Sequence, residues 1–171
     1  KKFIEGEVLF DELSRTIYSS AASLYRIKPL GIVKPRHKKD VITVVKYAAQ
    51  MGIPITPRGG GTSRTGNELG EGLLLDFSKP MNHILELNPR EGWARVQPGL
   101  ILASLNKFLK PYHLFFPIDP STKDHCTLGG MIANNSSGPH AVKYGATREY
   151  VLSFEVVPSN GEVISTGPFS P

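Results

Sequence analysis

The chain of 171 residues carries 20 lysines and arginines against 15 aspartates and glutamates, a formal charge of +5, with 40% hydrophobic and 20% charged residues. That balance belongs to a folded domain and not to a disordered tail. At this length roughly two thirds of the unfolded surface is buried on folding, enough for one domain or two small ones sharing a core, and too little for a large multidomain enzyme. The single cysteine, Cys126, excludes an internal disulfide and a cysteine-based zinc site, which makes a reducing compartment the default. No apolar run approaches the roughly 18 residues needed to span a bilayer, and Glu5 and Glu7 interrupt any signal-peptide core. A chain that does not begin with methionine is expected to be a piece of a longer protein.

From Leu30 to Thr56 the pattern reads strand, helix, strand. Gly31-Ile32-Val33 is an apolar run. Asp40 opens a stretch in which Val41, Val44, Val45, Ala48 and Ala49 recur at helical spacing, and Gly52 is the expected stop. Ile53-Pro54-Ile55-Thr56 then reads as the second strand of a parallel pair, so the loop after it lies at the carboxyl edge of a sheet, where ligands tend to bind. Leu73 to Phe77, Ile84 to Leu87 and Trp93 to Val96 read as further strands. An amphipathic helix is expected between Gly99 and Pro111, on Leu102, Leu105, Phe108 and Leu109. Val151 to Val157 and Glu162 to Ile164 read as a hairpin around Asn160-Gly161. Trp93 and the Phe115-Phe116 pair read as core, and the tail from Gly167 to Pro171 reads as frayed.

Two segments stand out chemically. The first is Arg58-Gly59-Gly60-Gly61-Thr62-Ser63, where three glycines directly after a strand let backbone N–H groups face an anion without Cβ obstruction. Arg58 and the hydroxyls of Thr62 and Ser63 add charge and donors. Taken alone, the triplet fits a flexible surface turn equally well. It is not a P-loop, because Asn67-Glu68 stands where Lys-Ser/Thr is required, and it is not a Rossmann fingerprint, because Thr62 to Gly72 lacks helical periodicity. The second segment is Asp119-Pro120-Ser121 followed by Thr127 to Gly138, in which a short helix from Leu128 to Ala133 is expected to turn its N-terminus at Thr127 toward an anion, or simply to be a capped helix before a polar loop.

This pair of segments in this order, with Tyr144-Gly145 after it, resembles the FAD-binding domain of the vanillyl-alcohol oxidase/para-cresol methylhydroxylase (PCMH) family. Phe10-Asp11-Glu12-Leu13 and the stretch from Tyr25 to Val33 look most like the opening of the glycolate oxidase and D-lactate dehydrogenase branch, whose large members carry a fused iron–sulfur region. The resemblance implies an α+β, PCMH-type FAD-binding domain of two α/β subdomains, C-terminally truncated, divided at 1–80 and 81–171. It implies that Arg58, Gly59, Gly60, Gly61, Thr62 and Ser63 wrap the FAD pyrophosphate, that Pro120, Ser121, Thr127, Gly129, Gly130, Asn134, Asn135 and Gly138 line the cofactor further along, and that Val163 meets its adenine end. Relatives that attach flavin covalently through the first loop have His where this chain has Thr62, so the expected FAD is non-covalent.

The implied reaction is oxidation of a small-molecule 2-hydroxy acid by hydride transfer to flavin, with glycolate, D-lactate or 2-hydroxyglutarate as the type of substrate. The substrate would be held by a cap domain beyond Pro171. Electrons would pass to a quinone, a cytochrome or iron–sulfur clusters in the missing C-terminal region. No catalytic residue and no metal ligand is assigned within the chain. An oxidase of another alcohol or of a sugar lactone, and a non-catalytic nucleotide-binding module, are the alternatives. The expected location is cytoplasmic, free or peripheral to a membrane, with no transmembrane segment. His37, His83, His113, His125 and His140 lack metal-ligand spacing, although His125 and His140 flank the second segment. The basic run from Lys34 to Lys39 reads as a solvated turn and not as a nucleic-acid site, since no aromatic platform accompanies it.

Overall fold

Three parallel strands build the first half of the molecule. In the structure, a computed structural model that describes residues 3–167, β1 (Glu7–Leu9), β2 (Gly31–Lys34), β3 (Ile55–Arg58) and β4 (Leu73–Asp76) form one sheet in the order β1-β2-β4-β3. β2, β4 and β3 run parallel, and β1 pairs antiparallel with β2. Two helices belong to this half, α1 (Glu12–Ile17) and α2 (Lys38–Met51).

The expected strand-helix-strand unit is present, with one correction: β2 and β3 are not neighbours, because β4 lies between them. The residues explain the order. Leu73, Leu74, Leu75 and Asp76 are all at most 5% exposed, the pattern of a strand covered on both faces. β3 contains Pro57, which has no N–H to give to a ladder and is tolerated at a sheet edge. Leu73 and Leu75 join Val33 and the α2 residues Val41, Val44, Val45 and Ala48 in one apolar cluster. α2 starts where the His37 ring accepts the Asp40 amide and ends at Gly52 in the left-handed conformation (φ 64°). β3 begins at Ile55 rather than Ile53, and the Pro54 carbonyl instead accepts the Leu73 amide at 2.9 Å.

Asp40 ties the N-terminal segment to this sheet. Its carboxylate, 1% exposed, accepts the amides of Glu5 (3.0 Å), Gly6 (2.9 Å) and Arg36 (2.8 Å). Burial works against its charge, but the three amides and the neighbouring His37 outweigh it and hold the carboxyl below the usual aspartate range. The basic run is met by acidic neighbours: Lys34, His37 and Lys38 face Glu7, Glu5 and Glu155 at 2.8, 3.1 and 3.1 Å.

The second half holds an antiparallel pair, β5 (Ile84–Asn88) and β6 (Trp93–Val96), and the helices α3 (Leu102–Leu109), α4 (Leu128–Ala133) and α5 (Ala141–Tyr144). Its apolar cluster comprises Leu100, Leu102, Leu105, Leu109, Ile118, Cys126, Leu128 and Met131. The final hairpin pairs β7 (Phe154–Val156) with β8 (Ile164–Thr166). Both strands are shorter or later than the sequence suggests. Val151, Leu152 and Ser153 precede β7, and Val163 lies just before β8. Phe115 is another correction: it is 60% exposed, edge-on to Tyr144, whereas Phe116 packs against the second cluster. The tail expected to fray lies, from 168 onward, outside the described residues.

Candidate functional site

The glycine loop leaves β3 at the carboxyl edge of the sheet and is fixed from two sides. On one side, Arg58 folds its guanidinium back beside Gly61, where a Cβ would fall 2.9 Å from Nη2; Nη1 and Nη2 donate to the carbonyls of Tyr18 (3.3 Å) and Ser20 (2.9 Å), and the group lies 5.2 Å from the Tyr18 ring centroid. Tyr18 in turn donates its hydroxyl to buried Asp76 at 2.5 Å. Burial, then the hydrogen bond to Asp76, pushes the phenol well above its ordinary range. The same segment returns to the loop through the Ala22 amide, which donates to the Gly61 carbonyl at 3.0 Å. The Arg58 side chain, expected to add charge for an anion, is therefore occupied in bracing the loop.

On the other side the loop lies directly against the second segment. A Cβ on Gly59 would fall 2.1 Å from Thr127 Oγ1, and one on Gly60 would fall 2.1 Å from the His125 carbonyl. Only glycine permits this approach. What the loop keeps free is its donors. Among the described residues, the amides of Gly60, Gly61, Thr62 and Ser63 donate to no atom of the chain, so four N–H groups remain for a ligand.

The start of α4 behaves differently. The sequence left this terminus open between an anion site and a capped helix before a polar loop, and the structure shows the cap at Thr127. The Leu128 amide donates to Leu100 O and the Gly129 amide to Pro98 O, both at 2.8 Å, while the Gly130 amide meets the capping hydroxyl of Thr127 at 3.4 Å. Residues 98–100 pass close enough to absorb the helix's leading donors, so the terminus is satisfied within the fold. α4 contributes a surface instead: a Cβ on Gly130 would meet only Thr127 Oγ1, at 3.2 Å.

Loop and helix enclose a cleft of about 240 Å³, lined by Gly59 to Ser63, Asn67, Glu68, Cys126, Thr127, Gly130 and Asn134 among others. A smaller hollow beside it includes Arg58, Gly129 and Gly130. The rim is bridged, since Asn67 Nδ2 donates to Asn134 Oδ1 at 3.0 Å, continuing a chain of contacts from Ser63 through Thr65 to Asn67. Cys126 is buried, and burial pushes its thiol up, away from the thiolate that nucleophilic chemistry requires.

The other sequence-predicted residues lie outside these linings. Pro120 O accepts the Lys123 amide, and Ser121 is exposed. Asn135, left-handed at φ 45°, accepts the Arg148 amide. Gly138 is pressed against the Asp119 backbone, where a Cβ would fall 2.6 Å from the Asp119 carbonyl. Asp119 itself is paired with His140 at 2.5 Å. Val163 is 39% exposed. Sequence reasoning missed Pro57, Asn67, Glu68, Thr122, Met131, Ala133 and Ser136, which also face the cleft. Position after the glycine loop was the available signal for Asn67 and Glu68.

The cleft presents a row of unpaired main-chain amides from a loop, an arrangement whose chemistry suits a diphosphate-containing ligand without the lysine of a P-loop. The chain belongs to the FAD binding domain family, whose profile matches residues 29–167. It is 39% identical over 166 residues to D-2-hydroxyglutarate dehydrogenase of Escherichia coli, covering 95% of this chain and 16% of that protein. It is 37% identical over 168 residues to glycolate oxidase subunit GlcD of Bacillus subtilis, covering 96% and 36%. Among solved structures, 6-hydroxy-D-nicotine oxidase from Arthrobacter nicotinovorans superposes with a TM-score of 0.84 at 25% identity, covering 96% of this chain and 36% of that one. The α+β fold is thus that of a PCMH-type FAD-binding domain. The chain spans less than two fifths of the length of these relatives. No helix among the described residues is long and apolar enough to cross a membrane, and no described group of His, Cys, Asp and Glu is placed to hold a metal ion.

Proposed function

We propose that the chain binds FAD non-covalently through its diphosphate, as part of a flavoprotein that oxidises a 2-hydroxy acid. The observation that carries the first half is the set of four uncommitted amides from Gly60 to Ser63, held at a sheet edge by Arg58 and by the packing against Thr127 and His125. The fit is specific in kind. The cradle offers neutral donors in a row, which suits a diphosphate, and Thr62 offers no imidazole for a covalent flavin link. When bound, FAD supplies a two-electron acceptor for the hydrogen on the hydroxyl-bearing carbon. The chain's own part is to fix the diphosphate, and with Gly129, Gly130 and Asn134 to shape the wall beyond it. Pro120, Ser121, Asn135 and Gly138 would line the cofactor further along, beyond the cleft, and Val163 would meet its adenine end.

The second half rests on the relatives, a D-2-hydroxyglutarate dehydrogenase and a glycolate oxidase subunit. The substrate would be held by residues outside this chain, and the electrons would leave to a quinone, a cytochrome or an iron–sulfur region of the whole protein. That protein would be cytoplasmic, free or peripheral to a membrane. The two apolar clusters support a division into FAD-binding subdomains at 1–80 and 81–171, with Met81 joining the first cluster.

The test is titration of the full chain with FAD, followed by flavin fluorescence, with ATP and NAD as competitors. Saturable binding that prefers FAD is expected of this chain, and in the whole protein, which adds the substrate-holding residues, anaerobic bleaching of the bound flavin on addition of D-2-hydroxyglutarate, glycolate or D-lactate. Binding without preference for FAD would overturn the cofactor assignment. FAD binding by the whole protein with no bleaching by any 2-hydroxy acid would overturn the substrate class alone.

A further inference from the structure

Glu68 plays no part in the cradle described above, yet it is the most anomalous group beside it. It is 6% exposed and lines the same cleft as Gly60, Thr62 and Asn134. Both of its carboxyl oxygens are buried, and neither has a hydrogen-bond partner among the described residues. The neighbouring buried carboxylates differ: Asp40 accepts three amides, and Asp76 accepts Tyr18 and Ser78. A buried acidic side chain without donors is costly, and natural folds keep one where something supplies them. The turn that positions it is well made, with the Leu69 amide closing onto the Gly66 carbonyl at 3.0 Å and Leu69 itself buried.

A carboxyl group beside a diphosphate cradle repels phosphate, so the part of the ligand that meets Glu68 must carry donors. In a flavin dinucleotide, hydroxyl-bearing chains adjoin the diphosphate at both ends. Two carboxyl oxygens side by side match two vicinal hydroxyls, the pairing by which acidic residues hold ribose in other dinucleotide sites. We propose that Glu68 accepts hydrogen bonds from a vicinal pair of hydroxyls adjoining the bound diphosphate, and so makes the cleft prefer a sugar-linked diphosphate over a bare one. This rests on the FAD reading above.

The experiment titrates the full chain and its Glu68→Gln variant with FAD, with an FAD analogue deoxygenated in the ribityl chain, with one deoxygenated at the adenosine ribose, and with inorganic pyrophosphate as competitor. The variant is expected to bind FAD about tenfold more weakly, the loss of one hydrogen-bond acceptor, and pyrophosphate as tightly as before or more tightly. One of the two analogues is expected to bind the wild type about tenfold more weakly than FAD and to lose nothing further in the variant. Which analogue does so tells whether the hydroxyls are those of the ribityl chain or of the ribose. Unchanged or tighter FAD binding by the variant overturns the proposal, as does a deoxygenation penalty that is equal in both proteins. Parallel loss of FAD and pyrophosphate assigns Glu68 a purely structural role and also overturns it. Failure of the wild type itself to prefer FAD is a separate result and removes the FAD reading.

Discussion

The two glycine-containing segments of this protein look alike in sequence and do opposite work. The loop from Gly60 to Ser63 leaves its amides unused and commits its neighbouring side chain, Arg58, to bracing. The start of α4 commits its amides to Pro98, Leu100 and Thr127 and leaves an open surface at Gly130. One segment supplies donors and the other supplies a wall. A glycine therefore has two settings here, close approach of backbone to backbone at Gly60 and open space at Gly130, and substitutions can separate them.

Gly60→Ala should have the largest effect. Its Cβ would lie 2.1 Å from the His125 carbonyl, a backbone atom that cannot swing aside, so the loop must leave the second segment. A loss of about 3 kcal/mol in unfolding free energy, together with loss of FAD binding, is expected by urea denaturation and fluorescence titration. Gly130→Asp should do the reverse. The new side chain has room apart from the Thr127 hydroxyl at 3.2 Å, so the melting temperature should move little. A carboxylate facing the bound diphosphate should weaken FAD by about a hundredfold. If Gly130→Asp unfolds the protein and Gly60→Ala does not, the division of labour between the segments is wrong.

Much of this was legible before any coordinates, for physical reasons that differ from one element to the next. α2 announced itself because its signals are local: a polar start near Asp40, apolar residues at helical spacing and Gly52 at the end. The glycine loop was legible only together with the second segment, because three glycines after a strand fit a surface turn equally well and it is the pair in order that carries the resemblance. The insertion of β4 between β2 and β3 was not, since strand order is decided by burial partners far away in the chain. The satisfaction of the α4 amides was hidden in the same way, because their acceptors lie some thirty residues upstream. Glu68 reads as one more polar residue in a polar stretch, and only its burial reveals it.

The bracing of the donor loop is itself testable. Tyr18→Phe removes the hydroxyl that donates to Asp76 at 2.5 Å while leaving the ring under Arg58. A loss of about 1 kcal/mol is expected, with FAD weakened severalfold because the segment that holds Gly61 through Ala22 loosens. The pH dependence has a definite sign. The folded state favours the neutral phenol, so its raised pKa contributes stability in full below the unfolded value of about 10 and loses it as pH climbs beyond. Denaturation at pH 7 and in strong alkali should therefore show wild type and variant converging in the alkaline series. Parallel curves would mean that Tyr18 acts by packing alone.

The smallest effect belongs to a hydrogen bond that joins the donor loop to the wall across the open side of the cleft. Asn67 and Asn134 are both exposed, and their hydrogen bond of 3.0 Å competes with water. Asn67→Ala should accordingly change stability by less than about 0.5 kcal/mol. Its influence on the ligand is larger, because the bond biases the two rims toward one separation, and losing it lowers the fraction of molecules ready to bind. FAD should be held about two- to threefold more weakly, with the change in apparent association rate, since it is the competent fraction of the free protein that falls. Asn134→Ala should give the same shift, and the double variant no more than either alone, since both remove a single bond. Additive losses would show that each asparagine meets the ligand separately, and the wall would then count as a donor surface in its own right.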